Sequence, residues 1–134
     1  MTKVQIKATF AYDIHDVWNT VTDLNNQLWR HDIEKIEIID NQTFIEYTKD
    51  GYSTTFTITK FVPYKQYEFD IHNENMSGHY SGIFSFHNSK TSIEFTEDIT
   101  THKIYLKPFV KTYLKKQQKA YIKDLQNALK SNKL

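Results

Sequence analysis

The chain contains no cysteine, and its 134 residues include only two prolines and three glycines. The absence of cysteine excludes a disulfide framework, a thiolate nucleophile and a cysteine-based zinc site. The glycines, Gly51, Gly78 and Gly82, form no phosphate-binding loop, and neither Gly-x-Ser-x-Gly nor His-Glu-x-x-His occurs. The usual signatures of nucleotide-binding proteins, serine hydrolases and zinc hydrolases are therefore missing.

Membrane signals are also missing from the sequence. No run approaches the roughly 18 apolar residues of a membrane span. The first seven residues, Met-Thr-Lys-Val-Gln-Ile-Lys, lack the apolar core of a signal peptide. We therefore expect a cytoplasmic protein without integral membrane association, present as a monomer or a weak dimer.

Charge is balanced overall but uneven along the chain. The net charge is +1, yet nine lysines follow position 102 against the single acidic residue Asp124. We interpret this lysine-rich end as a solvated helix face, and a weak dock for nucleic acid or anionic lipid is the alternative. Because Arg30 is the only arginine available for bidentate phosphate contacts, no nucleic-acid partner is expected.

Metal chemistry has little support in the sequence. The histidines occur at no ligand spacing and are interpreted as surface or turn residues: His15, His31, His72, His79, His87 and His102. We expect no metal site and no cofactor.

The last quarter of the chain is the only segment long enough to form a dominant helix. Apolar residues recur at three- and four-residue spacing from Val110 to Ala128, and lysines occupy the opposite face. Pro108 suits the first helical turn, where its missing N–H would have no partner. At about 1.5 Å per residue, this helix could cross a whole small sheet.

The rest of the chain is predicted to be mainly strands. Residues 4–10 alternate apolar and polar side chains, Asp13 can cap a short helix, and residues 27–31 resemble a second short helical turn. Six further strands are predicted, at about residues 33–39, 43–48, 52–62, 66–72, 78–87 and 91–102. Together with the length and apolar content, this pattern predicts one α+β domain, residues 1–134, in the order β-α-α-β6-α.

Hairpin geometry assigns the faces of the predicted sheet. If Asp50-Gly51 is a two-residue turn, Tyr47 opposes Thr54 and Ile45 opposes Phe56 on an apolar face, whereas Glu46 and Thr55 share the outer face. The same argument at Asn88-Ser89 gives a second set of opposing pairs: Phe84 with Ile93, Gly82 with Phe95, and Tyr80 with Glu97. One face of the sheet is thus predicted to be apolar and aromatic, and the other can face water.

This order of elements resembles the START-like or SRPBCC superfamily, the polyketide cyclase/dehydrase and lipid-transport group with the helix-grip fold. The resemblance spans nearly the whole chain and is carried by five loose motifs. They are residues 12–23 (Tyr-Asp-Ile-His-Asp-Val-Trp and the following Val-Thr-Asp), 28–32, 61–63, 78–82 and 91–97. It implies an antiparallel seven-stranded sheet wrapped around the long C-terminal helix.

The resemblance also implies a cavity between the sheet and this helix that holds an apolar or aromatic small molecule. The ligand would be lipid-like, polyketide-like or quinone-like, and the protein a carrier or sensor. The candidate cavity residues are Trp29, Tyr47, Phe56, Tyr67, Phe69, Tyr80, Gly82, Phe84, Phe95, Glu97, Phe109, Tyr113 and Tyr121. Several tyrosines on one face suit a partly wet pocket, because a buried hydroxyl needs a partner.

Four residues carry the remaining interpretations. Glu97, with Tyr80 across from it, is the candidate catalytic pair, because a carboxyl on an apolar face could orient a ligand or move a proton. Trp29 is interpreted as a core anchor and Arg30 as a surface ion-pair partner.

Two other functions stay open. One is a ligand-free interaction module that works through its outer surface, like the chaperone activators of the superfamily. The other is a cyclase or dehydratase that uses the same cavity.

Overall fold

Seven strands and two helices follow one another along the chain in the computed structural model, which describes residues 2–132. Their bounds are β1 Thr2–Phe10, α1 Ile14–Thr22, β2 Ile33–Ile38, β3 Thr43–Thr48, β4 Ser53–Val62, β5 Gln66–His72, β6 Met76–His87, β7 Lys90–Thr101 and α2 Lys107–Asn132. A short 3₁₀ turn, Ile104–Leu106, precedes α2. The strands form one antiparallel sheet in the order β1-β7-β6-β5-β4-β3-β2. The predicted α+β helix-grip arrangement is confirmed.

The segment between α1 and β2 differs from the sequence prediction in one respect. Residues 27–31 form turns instead of a second short helix. The reason lies in Gln27, whose buried side-chain amide donates hydrogen bonds to the carbonyls of Thr20 (3.1 Å) and Asp23 (2.8 Å) at the end of α1. Since these carbonyls have no partner within their own helix, Gln27 stabilises the end of α1 while the chain turns back.

The hairpin between β6 and β7 has the predicted register. Asn88 and Ser89 both adopt positive φ angles, as a two-residue turn of the primed type requires. Tyr80 therefore lies across from Glu97, and Gly82 lies across from Phe95.

In the hairpin between β3 and β4, the observed register differs from the predicted register by one residue, so that prediction is wrong. The backbone N–H of Thr48 donates to the carbonyl of Tyr52 (2.9 Å), and Gly51, at φ +82°, closes a loop of three residues rather than two. Phe44 therefore opposes Phe56, and Glu46 opposes Thr54. A slip of one residue exchanges the faces of a strand.

Two apolar clusters join α2 to the sheet, one towards each end of the helix. Leu125 and Leu129 pack with residues of α1 and of the central strands, namely Phe10, Val17, Trp18, Val21, Tyr67, Phe84, Ile93 and Phe95. Val110 and Leu114 pack with Val4, Phe44, Phe56, Ile71 and Ile99. The two ends of α2 are thus held to the sheet by apolar contacts, as its predicted apolar stripe requires.

The fully buried Leu125 provides the test of this packing. Leu125→Ala should lower the free energy of unfolding by about 2–5 kcal/mol, because it removes buried methyl groups and leaves a cavity. Chemical denaturation of the variant and of the parent measures the difference. Lys119→Ala, at an exposed position of the same helix, is the control and should change stability by less than about 0.5 kcal/mol. Equal, small effects of the two substitutions would contradict the packing of α2 on the sheet.

Candidate ligand-binding cavity

The middle of α2 is polar where it faces the sheet. Between Leu114 and Leu125, four polar or amphipathic residues line a cavity of about 800 Å³ between helix and sheet: Gln117, Gln118, Tyr121 and Asp124. This volume lies within the range of about 300–1,000 Å³ that is usual for small-molecule sites. Apolar contacts thus hold both ends of the helix to the sheet, and polar side chains of its middle line the cavity between them.

A continuous aromatic wall lines the cavity, with five of its rings on the sheet and the sixth, Tyr121, on α2. Ring centroids follow one another at 4.3–5.6 Å along Phe44, Phe56, Phe69, Tyr80, Phe95 and Tyr121. The closest pair, Phe69 and Tyr80, is stacked with an angle of 10° between the rings. Such a wall offers a planar apolar ligand both buried area and stacking contacts.

Nine of the thirteen residues predicted from the sequence line this cavity. They are Phe56, Tyr67, Phe69, Tyr80, Phe95, Glu97, Phe109, Tyr113 and Tyr121. Phe109 and Tyr113 are largely exposed and lie at the mouth, whereas the others lie deeper. Their role in binding a ligand remains a proposal.

Trp29 and Phe84 lie behind the cavity instead of in it. Trp29 packs edge-on against the far side of Tyr121, at 5.5 Å between ring centroids, and lines a smaller polar groove. Phe84 is buried against Trp18 of α1, at 4.8 Å. Both rings act as packing residues, as the sequence interpretation of Trp29 as a core anchor expected.

Tyr47 and Gly82 were also predicted to face the cavity, and the structure places them elsewhere. The slip in the β3–β4 register turns Tyr47 to the outer face, where its hydroxyl donates to Glu37 (2.8 Å). Gly82 lies under the ring of Tyr80, because a Cβ atom at this glycine would come within 3.0 Å of the Tyr80 hydroxyl. Gly82 thus makes room for Tyr80 rather than for a ligand.

Glu97 faces the cavity from the middle of β7. Its Oε1 accepts a hydrogen bond from the side-chain amide of Gln118 (3.1 Å), and the same amide group lies within bonding distance of the Val4 carbonyl (3.4 Å). Burial raises the pKa of Glu97 above its ordinary value, and the hydrogen bond from Gln118 partly opposes the rise. The carboxyl is therefore desolvated by the surrounding protein but open to the cavity.

Three tyrosine hydroxyls reach the same region. Among residues 2–132, the hydroxyls of Tyr67, Tyr80 and Tyr121 have no hydrogen-bond partner, although all three residues line the cavity. Burial raises the pKa of each of these phenols above its ordinary value. They consequently stay protonated near neutral pH and can donate hydrogen bonds to acceptor atoms in the cavity.

A buried ion pair lies beside these tyrosines. Arg30 forms a two-point contact with Glu46 (2.6 and 3.1 Å), and the two side chains are only 14% and 12% exposed. Burial disfavours the charge of Arg30, but the attraction and hydrogen bonds of Glu46 outweigh it and raise the pKa of Arg30. The expectation of a surface ion pair at Arg30 is therefore wrong.

The guanidinium of Arg30 is incompletely paired. Its Nε is buried, has no hydrogen-bond partner among residues 2–132 and lies 3.8 Å from a carboxylate oxygen of Asp32. The guanidinium carbon lies 5.5 Å from the ring centre of Tyr121. Arg30 thus adds a fixed positive charge to the polar part of the cavity lining.

One group of potential metal-binding side chains stands at the edge of the cavity. His31, Asp32 and Asp124 bring ligand atoms within 4.8 Å of one another, and no other such group occurs in the described part of the chain. The carboxylate of Asp124 accepts a hydrogen bond from the His31 backbone N–H (3.0 Å) and lies 2.6 Å from its Nδ1. This contact, together with the Arg30–Asp32 pair, accounts for the group as ion pairing.

Sequence reasoning missed the two most buried polar contacts of the cavity. Gln118 falls in phase with the apolar stripe of α2, so a buried amide there could have been inferred from its spacing. Glu46 was assigned to the outer face because of the misplaced hairpin register. Its pairing with Arg30 joins segments 16 residues apart, which no local pattern reveals.

A one-sided antiparallel sheet closed by a long helix over a cavity is the START-like class of fold, as the resemblance predicted. The family model for polyketide cyclase / dehydrase and lipid transport matches residues 1–132. The chain belongs to this family. No curated protein sequence matches it.

Solved structures share this fold at low sequence identity. A START superfamily protein from Mycobacterium smegmatis superposes with a TM-score of 0.83 at 13% identity, over 96% of this chain and 97% of that one. A conserved protein from Geobacillus kaustophilus gives 0.82 at 11%, over 97% and 96%. DynU16, from the dynemicin biosynthetic locus, gives 0.80 at 11%, over 97% of this chain and 48% of its own. At these identities the likeness shows the fold alone.

No helix within residues 2–132 is long and apolar enough to cross a bilayer.

Removing one partner of the buried ion pair should be costly. Arg30→Met leaves Glu46 charged and unpaired in a desolvated site, so the free energy of unfolding should fall by about 3–5 kcal/mol. The double variant Arg30→Met/Glu46→Leu should regain most of this loss, since it removes both charges. Urea denaturation of the four proteins in the cycle measures the coupling, with Lys60→Met as an exposed control. A small effect of Arg30→Met would contradict the burial of the pair.

Glu97 should make stability depend on pH. Because its folded pKa is raised, its contribution favours folding below the unfolded pKa of about 4.3 and declines as pH rises through the folded value. Glu97→Gln should therefore be neutral or stabilising near pH 7, and this benefit should shrink towards pH 4. Denaturation midpoints across this range test the prediction, with Glu94→Gln on the outer face of the same strand as the matched control. A difference between Glu97→Gln and its parent that is independent of pH would contradict the desolvation of Glu97.

Proposed function

We propose that the protein binds an apolar or aromatic small molecule in this cavity, as a carrier or sensor. The ligand would be lipid-like, polyketide-like or quinone-like. The observation that carries the proposal is an 800 Å³ space between α2 and the aromatic wall, lined mainly by apolar side chains and by a few converging polar groups.

The polar groups suggest what the ligand would carry. The hydroxyls of Tyr67, Tyr80 and Tyr121 line the cavity as donors without partners among the described residues. Donors that face an apolar cavity favour ligands with acceptor oxygens, because an unmatched buried donor costs free energy. A largely apolar molecule with carbonyl or hydroxyl oxygens fits this lining best.

A cyclase or dehydratase acting in the same cavity is the second candidate. It is favoured by Glu97, whose raised pKa extends its protonated form towards neutral pH in a position open to the cavity. Glu97→Gln distinguishes the two functions once a ligand is known. If the protein is a carrier, the variant should keep most of the parent's affinity and neither protein should convert the ligand. If it is an enzyme, the variant should still bind the ligand but should lose the turnover that the parent shows.

Binding itself is tested with an apolar fluorescent probe, anilinonaphthalene sulfonate. The parent protein should bind it with a dissociation constant near the micromolar, or about −8 kcal/mol. Val110→Trp, at a buried position that lines the cavity, should weaken binding more than about tenfold by filling the space. Fluorescence titration and a thermal melt, which confirms folding, are the measurements.

The matched control is Thr112→Trp, which adds the same ring at an exposed position of the same helix. It should bind the probe as the parent does. Equal affinity of the two tryptophan variants, both folded, would place the probe outside the cavity. Absence of binding by the parent would favour the ligand-free interaction module.

A further inference from the structure

Large apolar side chains stand exposed beside the mouth of the cavity. Ile104 is 85% exposed and Phe109 67%, and Tyr105 and Tyr113 are also largely exposed. All four belong to the 3₁₀ turn and the first two turns of α2. Monomeric proteins expose few neighbouring apolar groups of this size, so such a patch is typical of a contact surface.

Lysines alternate with these apolar residues along the same segment. Lys103, Lys107, Lys111 and Lys115 follow at four-residue intervals, and the last three are exposed along one side of α2. No acidic residue occurs between Asp98 and Asp124, while the same segment contains seven lysines. We call the four apolar residues and these four lysines the mouth patch.

The mouth patch is continuous with the cavity. Phe109 and Tyr113 belong both to the patch and to the cavity lining, and Leu106 of the intervening 3₁₀ turn also lines the cavity. A surface that covered the patch would therefore face the opening through which a ligand enters.

We propose that the mouth patch docks the protein onto an anionic lipid bilayer. Lysines attract the negative surface of such a bilayer, and amphipathic aromatic side chains settle at its headgroup level. Exposed apolar groups and lysines in one surface segment are the pattern of segments that lie in the membrane interface without crossing it.

A purely solubilising lysine face explains less of this surface. Solubility does not require four large apolar side chains among the lysines. Lysines in the first turn of a helix are also unfavourable to its dipole, so they do not serve the stability of α2. Charge complementarity and the adjoining mouth favour the bilayer.

Vesicle flotation tests the proposal with the whole chain and needs no cavity ligand. The protein should float with vesicles of phosphatidylglycerol and phosphatidylcholine in equal parts, should not float with pure phosphatidylcholine, and should dissociate as salt screens the lysines. Lys107→Glu/Lys111→Glu should weaken flotation more than about tenfold. Ile104→Ser/Phe109→Ser should also weaken flotation, and this variant should retain less binding than the parent at raised salt.

Matched controls separate this patch from charge or apolarity in general. Lys3→Glu/Lys7→Glu changes the same charge on the exposed side of β1, and Leu28→Ser removes a side chain that is 71% exposed elsewhere. Both should bind vesicles as the parent does. No flotation with anionic vesicles, or equal loss in patch and control variants, would overturn the proposal.

Two other results would assign the patch to a different partner. Lysine-dependent binding of an oligonucleotide without vesicle binding would assign it to nucleic acid. Concentration-dependent dimerisation that is lost in Ile104→Ser/Phe109→Ser would assign it to a second copy of the chain.

Discussion

The attachment of α2 to the sheet at both ends is the constraint on which the cavity depends. Leu125 and Leu129 hold one end and Val110 and Leu114 hold the other, each in an apolar cluster. Between the clusters, Gln118 reaches the sheet through its hydrogen bonds to Glu97 and the Val4 carbonyl. Gln118, Gln117 and Tyr121 line the cavity that lies between these contacts.

The polar middle explains why the space stays suitable for a ligand. A carboxyl and three tyrosine hydroxyls in a tightly packed core would lose their hydration without enough partners. Gln118 donates to one oxygen of Glu97, and Arg30 pairs with Glu46, but the hydroxyls of Tyr67, Tyr80 and Tyr121 line the cavity without partners among residues 2–132. Polar groups that would destabilise a closed core can instead form hydrogen bonds with a ligand in an open cavity.

Sequence patterns predicted the architecture because that architecture rests on local signals. The period of α2, the alternation of the strands and the Asn88-Ser89 turn each act over a few residues, and they placed Tyr80 across from Glu97 correctly. The predicted register of β3 and β4 was wrong because one extra loop residue exchanges the two faces of β3. Asp-Gly occurs in turns of two and of three residues, so the dipeptide does not fix the loop length. The Arg30–Glu46 pair was missed for the same reason, since Glu46 had been assigned to the wrong face.

The central claim is that this cavity holds a small apolar molecule. Native mass spectrometry of the protein, purified gently from its own cells, tests it most directly. The account predicts a second species heavier than the polypeptide by the mass of one small molecule, lost on denaturation and absent from Val110→Trp. Only the bare polypeptide, under conditions that preserve a known non-covalent complex, would contradict it.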